Sequence, residues 1–135
     1  MIGSAITAKC GTNMFGRNAI VGEYKFTATF SKIGHIVGLG VSDTKNKNGS
    51  GNNNFVYYTN YSSCSVGGIS NNKKGSSFKT GEKVTVSIDL KEGSIQWKVG
   101  SEIRCQETYP KLKDNSITWV PYIYLGNKDD SVEIS

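Results

Sequence analysis

Apolar and polar residues alternate one by one along most of this 135-residue chain, and that pattern constrains its fold more than any other feature. No window of about 11–18 residues repeats its apolar residues at the helical period. Successive side chains of a β-strand point to opposite faces, so each alternating segment has one apolar and one polar face. The pattern predicts strands at residues 23–30, 36–41, 55–59, 84–90, 94–99, 102–105, 117–125 and 132–134.

Turn residues separate the predicted strands. Residues 91–93 (KEG) reverse the chain, and Gly100-Ser101 is predicted to be a two-residue hairpin turn, since glycine tolerates the positive φ of its first position. Short alternating strands joined by turns, without helices, predict an all-β fold in which two antiparallel sheets form a sandwich. The length suits one domain. We predict a single domain over residues 1–135, in which residues 1–19 are either a boundary segment or an edge strand.

The apolar residues also indicate the core and the loops. Trp97 and Trp119 lie on alternating strands, so we predict that both are core residues rather than platforms for sugar stacking. Residues 36–41 (IVGLGV) contain two glycines, which predicts a buried strand against which something packs closely. Residues 43–54 (DTKNKNGSGNNN) and 70–77 (SNNKKGSS) are polar and rich in turn formers, so we predict two long loops there.

The charge of +5 at pH 7 is unevenly placed. Residues 1–83 carry ten basic and three acidic side chains, whereas residues 84–135 carry six and eight. Fourteen of the 16 cations are lysines scattered along the chain, which is not the footprint of a nucleic-acid binder, so we predict no nucleic-acid partner. No apolar run approaches the ~18 residues of a membrane span, so we predict no membrane insertion.

The sequence lacks the side chains that most enzyme sites need. Its single histidine, His35, falls between two predicted strands, and no carboxylate pair has a spacing that supports acid–base catalysis. Cys10, Cys64 and Cys105 are too widely spaced for a zinc motif, and three such cysteines favour reduced thiols in the cytoplasm. We therefore predict a cytoplasmic protein that is not an enzyme, with no catalytic residues, metal site or cofactor.

From residue 22 to residue 134 the order of features resembles the SPRY domain. The strand, turn and strand of residues 84–103 (VTVSIDLKEGSIQWKVGSEI) are similar to the family pattern, as are residues 119–126 (WVPYIYLG) and 131–135 (SVEIS). Residues 22–30 and 35–43 resemble its earlier strand pair, and residues 55–68 its following strand. The chain departs from the pattern at Trp97, where Phe is commoner, and in the asparagine-rich loop, which has no family counterpart. The resemblance implies a β-sandwich of the concanavalin-like jelly-roll type.

The resemblance also implies a protein-interaction module, possibly one part of a larger protein or assembly, that presents loops at one end of the sandwich to a peptide or partner surface. A tyrosine that lines the family's pocket matches Tyr57 or Tyr58, and the turn before the last strand matches Gly126 and Asn127. The predicted contact residues are Tyr57, Tyr58, Tyr61, Lys45, Lys47, Lys73, Lys74, Gly126 and Asn127.

Because alternation turns one of the two adjacent tyrosines outward, we expect that tyrosine to anchor the partner. The loop lysines would steer a partner with an acidic or polar surface. Two alternatives remain: a glycan-binding, lectin-like sandwich that uses exposed aromatic rings, and a scaffold piece that docks on an acidic neighbour.

Overall fold

The computed structural model describes residues 4–7, 12–16, 18–48, 52–72, 77–127 and 129–134. Two antiparallel six-stranded sheets face each other, so the predicted all-β sandwich is confirmed. The helices of the described residues are two short 3₁₀ segments, Thr44–Asn48 and Pro110–Lys113. None of the described helices is long and apolar enough to cross a membrane.

The first sheet, termed sheet A, brings together strands that are far apart in the sequence. Every neighbouring pair is antiparallel, and the last strand lies between two early ones. In order across the sheet, its strands are β1 (Ser4–Thr7), β12 (Ser131–Ile134), β3 (Glu23–Lys32), β8 (Lys83–Asp89), β9 (Ser94–Val99) and β10 (Glu102–Thr108).

The second sheet, sheet B, has the same arrangement. Its strand β11 lies between β2 and β4, as β12 lies between β1 and β3. In order across the sheet, its strands are β2 (Thr12–Phe15), β11 (Trp119–Leu125), β4 (Val37–Asp43), β5 (Phe55–Thr59), β6 (Ser63–Val66) and β7 (Ile69–Asn72).

One apolar core fills the space between the sheets. The inward residues of the alternating strands are buried, for example Val84, Val86 and Ile88 of β8. Trp97 and Trp119 are 0% and 1% exposed, so both are core residues as predicted. The Nε1 atom of Trp97, on sheet A, donates a hydrogen bond of 2.9 Å to the carbonyl oxygen of Leu39 on sheet B, which ties the two sheets together.

The glycines of β4 have the close neighbours that the sequence predicted. A Cβ atom at Gly38 would lie 2.9 Å from the ring of Tyr57. At Gly40 a Cβ atom would overlap the carbonyl oxygen of Val56, because β5 approaches β4 too closely for any side chain there. Gly100, with φ of +63°, begins the predicted two-residue hairpin, since Val99 pairs directly with Glu102.

Two expectations about the polar segments need correction. The predicted loop at residues 70–77 begins too early, because residues up to Asn72 belong to β7, which pairs with β6. The sequence of β7 (ISNN) does not alternate, and backbone pairing at the edge of sheet B is enough to make it a strand. The predicted loop at residues 43–54 contains a 3₁₀ helix and begins only after Asp43, the last residue of β4.

The connections between strands leave the sandwich at two opposite ends. The upper end carries the β3–β4, β5–β6, β7–β8, β9–β10 and β11–β12 connections. The lower end carries the β2–β3, β4–β5, β6–β7, β8–β9 and β10–β11 connections. A ligand that contacts several connections must therefore approach one end or the other.

Candidate binding surface

Side chains fasten the upper-end connections to one another. Asn60, after β5, accepts a hydrogen bond from the backbone N–H of Val37 at 2.9 Å and donates one to the carbonyl of His35 at 3.0 Å. The carboxylate of Asp130, which is fully buried, accepts bonds from the backbone N–H of Gly34 at 2.6 Å and of Asn127 at 2.8 Å. These bonds hold three separate connections in one arrangement.

Tyr61 presents an aromatic ring on this fastened end. The ring is 53% exposed, and its hydroxyl is hydrogen-bonded to Nδ1 of His35 at 2.9 Å. The imidazole and phenol rings also form a T-shaped contact, with centroids 5.3 Å apart and an interplanar angle of 71°. Tyr61, a predicted contact residue, is thus exposed and is held in place by His35, a residue between two predicted strands for which the sequence predicted no role.

Gly126 and Asn127 also lie at the upper end. The N–H of Gly126 donates to the carbonyl of Ile36 at 3.0 Å, and a Cβ atom there would lie 2.5 Å from that oxygen. Asn127 is exposed beside this close approach. The structure therefore brings Tyr61, Gly126 and Asn127 to the same end.

The adjacent tyrosines of β5 point in opposite directions, as alternation requires. Tyr58 is 0% exposed and packs against the ring of Trp97 at 5.6 Å, so it is a core residue and Tyr57 is the outward one. Burial raises the pKa of the Tyr58 hydroxyl. Tyr57 is only half-buried and lies on the outer face of sheet B, away from the strand ends.

Tyr57 belongs to a line of aromatic rings, termed the aromatic row, formed by Phe15, Tyr122, Tyr57 and Phe55. Consecutive ring centroids are 5.3, 5.6 and 5.6 Å apart. All four side chains are half-buried, and the two central ones, Tyr122 and Tyr57, pair with Gly40 of β4 from either side. Burial, with Tyr57 and Tyr124 nearby, holds the pKa of the Tyr122 hydroxyl well above its usual range.

The predicted lysines do not form one patch in the described residues. Lys45 lies in the β4–β5 connection at the lower end, and Lys47 lies in the same 3₁₀ helix. Strand β7 ends at the upper end, at Asn72, which pairs with Ser63. Lys73 and Lys74, next in sequence, lie outside the described residues, as does Cys10. Cys64 and Cys105 are buried thiols.

Asp43 organises the lower-end connection that carries Lys45. Its carboxylate accepts hydrogen bonds from the backbone N–H of Lys45 at 2.9 Å and from the side chains of Asn52 at 3.0 Å and Asn54 at 3.1 Å. Burial alone would raise the pKa of Asp43, but these donors outweigh it and hold the pKa below its usual value. The polar loop therefore folds around the Asp43 carboxylate, and both of its oxygens already accept hydrogen bonds from the loop.

A groove of about 380 Å³ lies on the outer face of sheet A, near the lower end. Tyr24, Lys25 and Ser87 line it together with Gln96 and Gln106, whose amides are hydrogen-bonded at 3.1 Å. Its lining residues, both polar and apolar, belong to the adjacent strands β3, β8, β9 and β10. Among the described residues, no group of three His, Cys, Asp or Glu side chains lies close enough to hold a metal ion.

Sequence reasoning missed His35 and three members of the aromatic row. Strand β11 carries a signal that could have revealed one of them, because Trp119 and Ile123 face the core and Tyr122 must then face outward. The partnership of Tyr61 with His35 has no such signal. It depends on two connections that are 26 residues apart.

This architecture defines a class: an antiparallel sandwich of two six-stranded sheets in which the two last strands lie inside the sheets and the connections gather at two ends. The fold is SPRY-like. The SPRY domain of human HERC1 matches 96% of this chain over 86% of its own, with a TM-score of 0.76 and 15% identity. The TRIM65 PSpry domain matches 91% of this chain over 70% of its own, with a TM-score of 0.67 and 10% identity.

A third similar structure is that of stonustoxin, which matches 90% of this chain over 21% of its own, with a TM-score of 0.61 and 8% identity. No protein-family model matches the sequence. No curated protein matches it either. The shared property is therefore the fold, and the identities are too low to carry over a binding site. The glycan-binding alternative gains no support from these structures.

Proposed function

We propose that the chain is a non-catalytic, cytoplasmic protein-interaction module, one domain over residues 1–135, that binds a peptide or a partner surface at its upper end. The observation that carries the proposal is the exposed ring of Tyr61, fixed by His35 on connections that Asn60 and Asp130 fasten together. Tyrosine is a frequent anchor of protein interfaces because it supplies a large contact area and a polar tip.

Hydrogen bonds among the upper-end connections support binding for a physical reason. Ordering a side chain or loop on binding costs about 0.5–1.5 kcal/mol per immobilised side chain, and this cost falls when the surface is already held in its bound form. The hydrogen bonds of Asp130 and Asn60 supply that order before a partner arrives. Loops positioned on a rigid sheet are the usual place for recognition residues.

The charges around the upper end favour a partner with an acidic or polar surface. Lys32, Lys79 and Lys83 are exposed there, at the end of β3 and around the start of β8. Four acidic residues are also at this end: Glu82 and Glu102 are ion-paired with Arg104, Asp130 is buried and hydrogen-bonded, and Asp129 is exposed. Exposed lysines at the rim of a site mainly raise the association rate, and salt screens their effect.

The test is selection of a random peptide library displayed on phage against the purified chain. Enriched peptides are then measured against Tyr61→Ala and against the matched control Tyr24→Ala, since Tyr24 is 36% exposed but lies at the lower end. We expect Tyr61→Ala to weaken binding about tenfold or more, with the loss in the dissociation rate, and Tyr24→Ala to leave it unchanged.

A second pair of variants tests the steering lysines. Lys79→Ser should slow association and reduce its salt dependence, whereas Lys45→Ser, at the lower end, should not. Peptides that bind Tyr61→Ala as well as the parent chain would show that the upper end is not the site. Failure to enrich any peptide would count against the interaction-module proposal itself.

A further inference from the structure

The two sheets of the sandwich differ sharply in the number of charged residues that their described strands carry. In the described strands of sheet B the one charged residue is Asp43, which is 3% exposed and hydrogen-bonded within the lower-end connection. The described strands of sheet A carry ten: Glu23, Lys25, Lys32, Lys83, Asp89, Lys98, Glu102, Arg104, Glu107 and Glu133.

The outer face of sheet B is aromatic as well as uncharged. The aromatic row crosses it, and Tyr124, paired with Gly38, adds a fifth half-buried ring. Tyr122 and Tyr57 both pair with Gly40 of β4, which has no side chain to separate them, and their ring centroids are 5.6 Å apart. Interface centres are depleted in charged residues and enriched in Tyr, Phe and Trp, and a contiguous patch of this kind marks an interaction site.

We infer that a second copy of this chain docks on this face, sheet B against sheet B, in a twofold-symmetric dimer. Charge is the first argument. Two copies that each carry +5 repel one another. A contact through sheet B adds no like-charge pair to that repulsion, because Asp43, the one charged residue of its described strands, is buried and hydrogen-bonded within its own chain. A twofold contact uses the same patch on both copies, and an uncharged patch is compatible with itself.

The size of the face is the second argument. Six strands about 4.8 Å apart, each rising about 3.3 Å per residue, give a face on the order of 500 Å² per copy. The pair would bury about 1,000 Å², which is the lower bound for a specific interface. The inferred dimer is therefore weak, with a dissociation constant in the micromolar range. It leaves both upper ends exposed, so the inference does not rest on the proposed function.

Sedimentation velocity of the purified chain from ~1 µM to ~1 mM tests the inference across the expected range. We expect a concentration-dependent shift from monomer to dimer. Tyr57→Lys, which places a charge in the aromatic row, should raise the dissociation constant tenfold or more. Its matched control is Gln106→Lys, on the outer face of sheet A, which should leave the constant unchanged.

Salt gives a second readout on the unaltered chain. Screening reduces the repulsion between two positively charged copies, so raising NaCl from ~50 mM to ~500 mM should leave the dimer unchanged or strengthen it. A dimer that weakens with salt is held by charged surfaces, and that result would overturn the inference.

A fluorotyrosine NMR spectrum keeps the test independent of how well Tyr57→Lys folds. Signals assigned through single Tyr→Phe variants should move with concentration for Tyr57, Tyr122 and Tyr124, and stay fixed for Tyr24 and Tyr61. A chain that remains monomeric at ~1 mM overturns the inference and leaves the face to a different protein. So does a dimer whose shifts appear at Tyr61 or Tyr24 instead.

Discussion

Replacing each tryptophan by phenylalanine compares two buried indoles that differ in one hydrogen bond. Trp97 is 0% and Trp119 is 1% exposed, so both substitutions remove the same atoms from a packed core. The Nε1–H of Trp97 donates to the carbonyl of Leu39 at 2.9 Å. The Nε1 atom of Trp119 is buried and has no acceptor within the part of the chain that the structure describes.

The difference between the two substitutions follows from these contacts. Both lose apolar contacts and leave a similar cavity. Trp97→Phe also loses a hydrogen bond worth about 0.5–1.5 kcal/mol, whereas Trp119→Phe removes a buried donor whose desolvation costs about 1–3 kcal/mol. We therefore expect Trp97→Phe to be the more destabilising by about 1.5–4.5 kcal/mol, a large part of a usual stability of ~5–15 kcal/mol.

Urea unfolding followed by circular dichroism measures this difference. The two variants and the parent chain should share one denaturant slope, so that the shift in midpoint reports stability alone. Equal destabilisation, or a larger loss for Trp119→Phe, would contradict the reasoning. It would show that the fit of the indole ring in the core, rather than the hydrogen bond between Trp97 of β9 and Leu39 of β4, decides how much each tryptophan stabilises the fold.

Four further predictions concern single residues. Gly40→Ala should lower the unfolding free energy by ~3 kcal/mol or more in urea, because its Cβ would overlap the neighbouring strand, whereas Gly22→Ala, with φ of +62° and open space, should lower it by ~1 kcal/mol. Asp130→Ala should cost ~2–4 kcal/mol by the same assay, since the backbone N–H groups of Gly34 and Asn127 lose the buried carboxylate that accepts their hydrogen bonds. The raised pKa of Tyr122 means that its stabilisation is complete below about pH 10 and is lost as the pH rises further, so stability measured against alkaline pH should fall less steeply in Tyr122→Phe. The lowered pKa of Asp43 means that its stabilisation is present above about pH 4 and is lost as the pH falls through the folded value, so Asp43→Asn should flatten the acid limb.

The sheets were predictable because their evidence is local. Alternation in β3, β8 and β9 marks which side chains face inward, and the structure buries those side chains. The two glycines of β4 predicted that another element packs closely against this strand. That element is β5, including the ring of Tyr57. Strands β6 and β7 were not predicted because their sequences (SCSV and ISNN) are short and mostly polar, and backbone pairing of β6 with β5 and of β7 with β6 stabilises them instead.

The candidate site was only partly predictable because it depends on pairing between distant connections. Tyr61, Gly126 and Asn127 were identified singly, but nothing in the sequence places His35 beside Tyr61 or Asp130 beside Gly34. Those contacts require that β4 run between β5 and β11. The order of strands is a property of the assembled sheet, and no short segment of the sequence reveals it.

The interior positions of β11 and β12 have a consequence for how the molecule forms. One edge of β3 pairs with β12, and one edge of β4 pairs with β11, so neither edge is satisfied until the end of the chain is present. Ala28 pairs with Ile134, and Val41 with Pro121. Pairings this far apart in sequence slow folding, because long loops must close before any contact rewards them. A nascent chain on the ribosome therefore carries β3 and β4 with unsatisfied edges until the last two strands emerge. Chaperone protection during synthesis should matter more for this chain than its length alone would suggest.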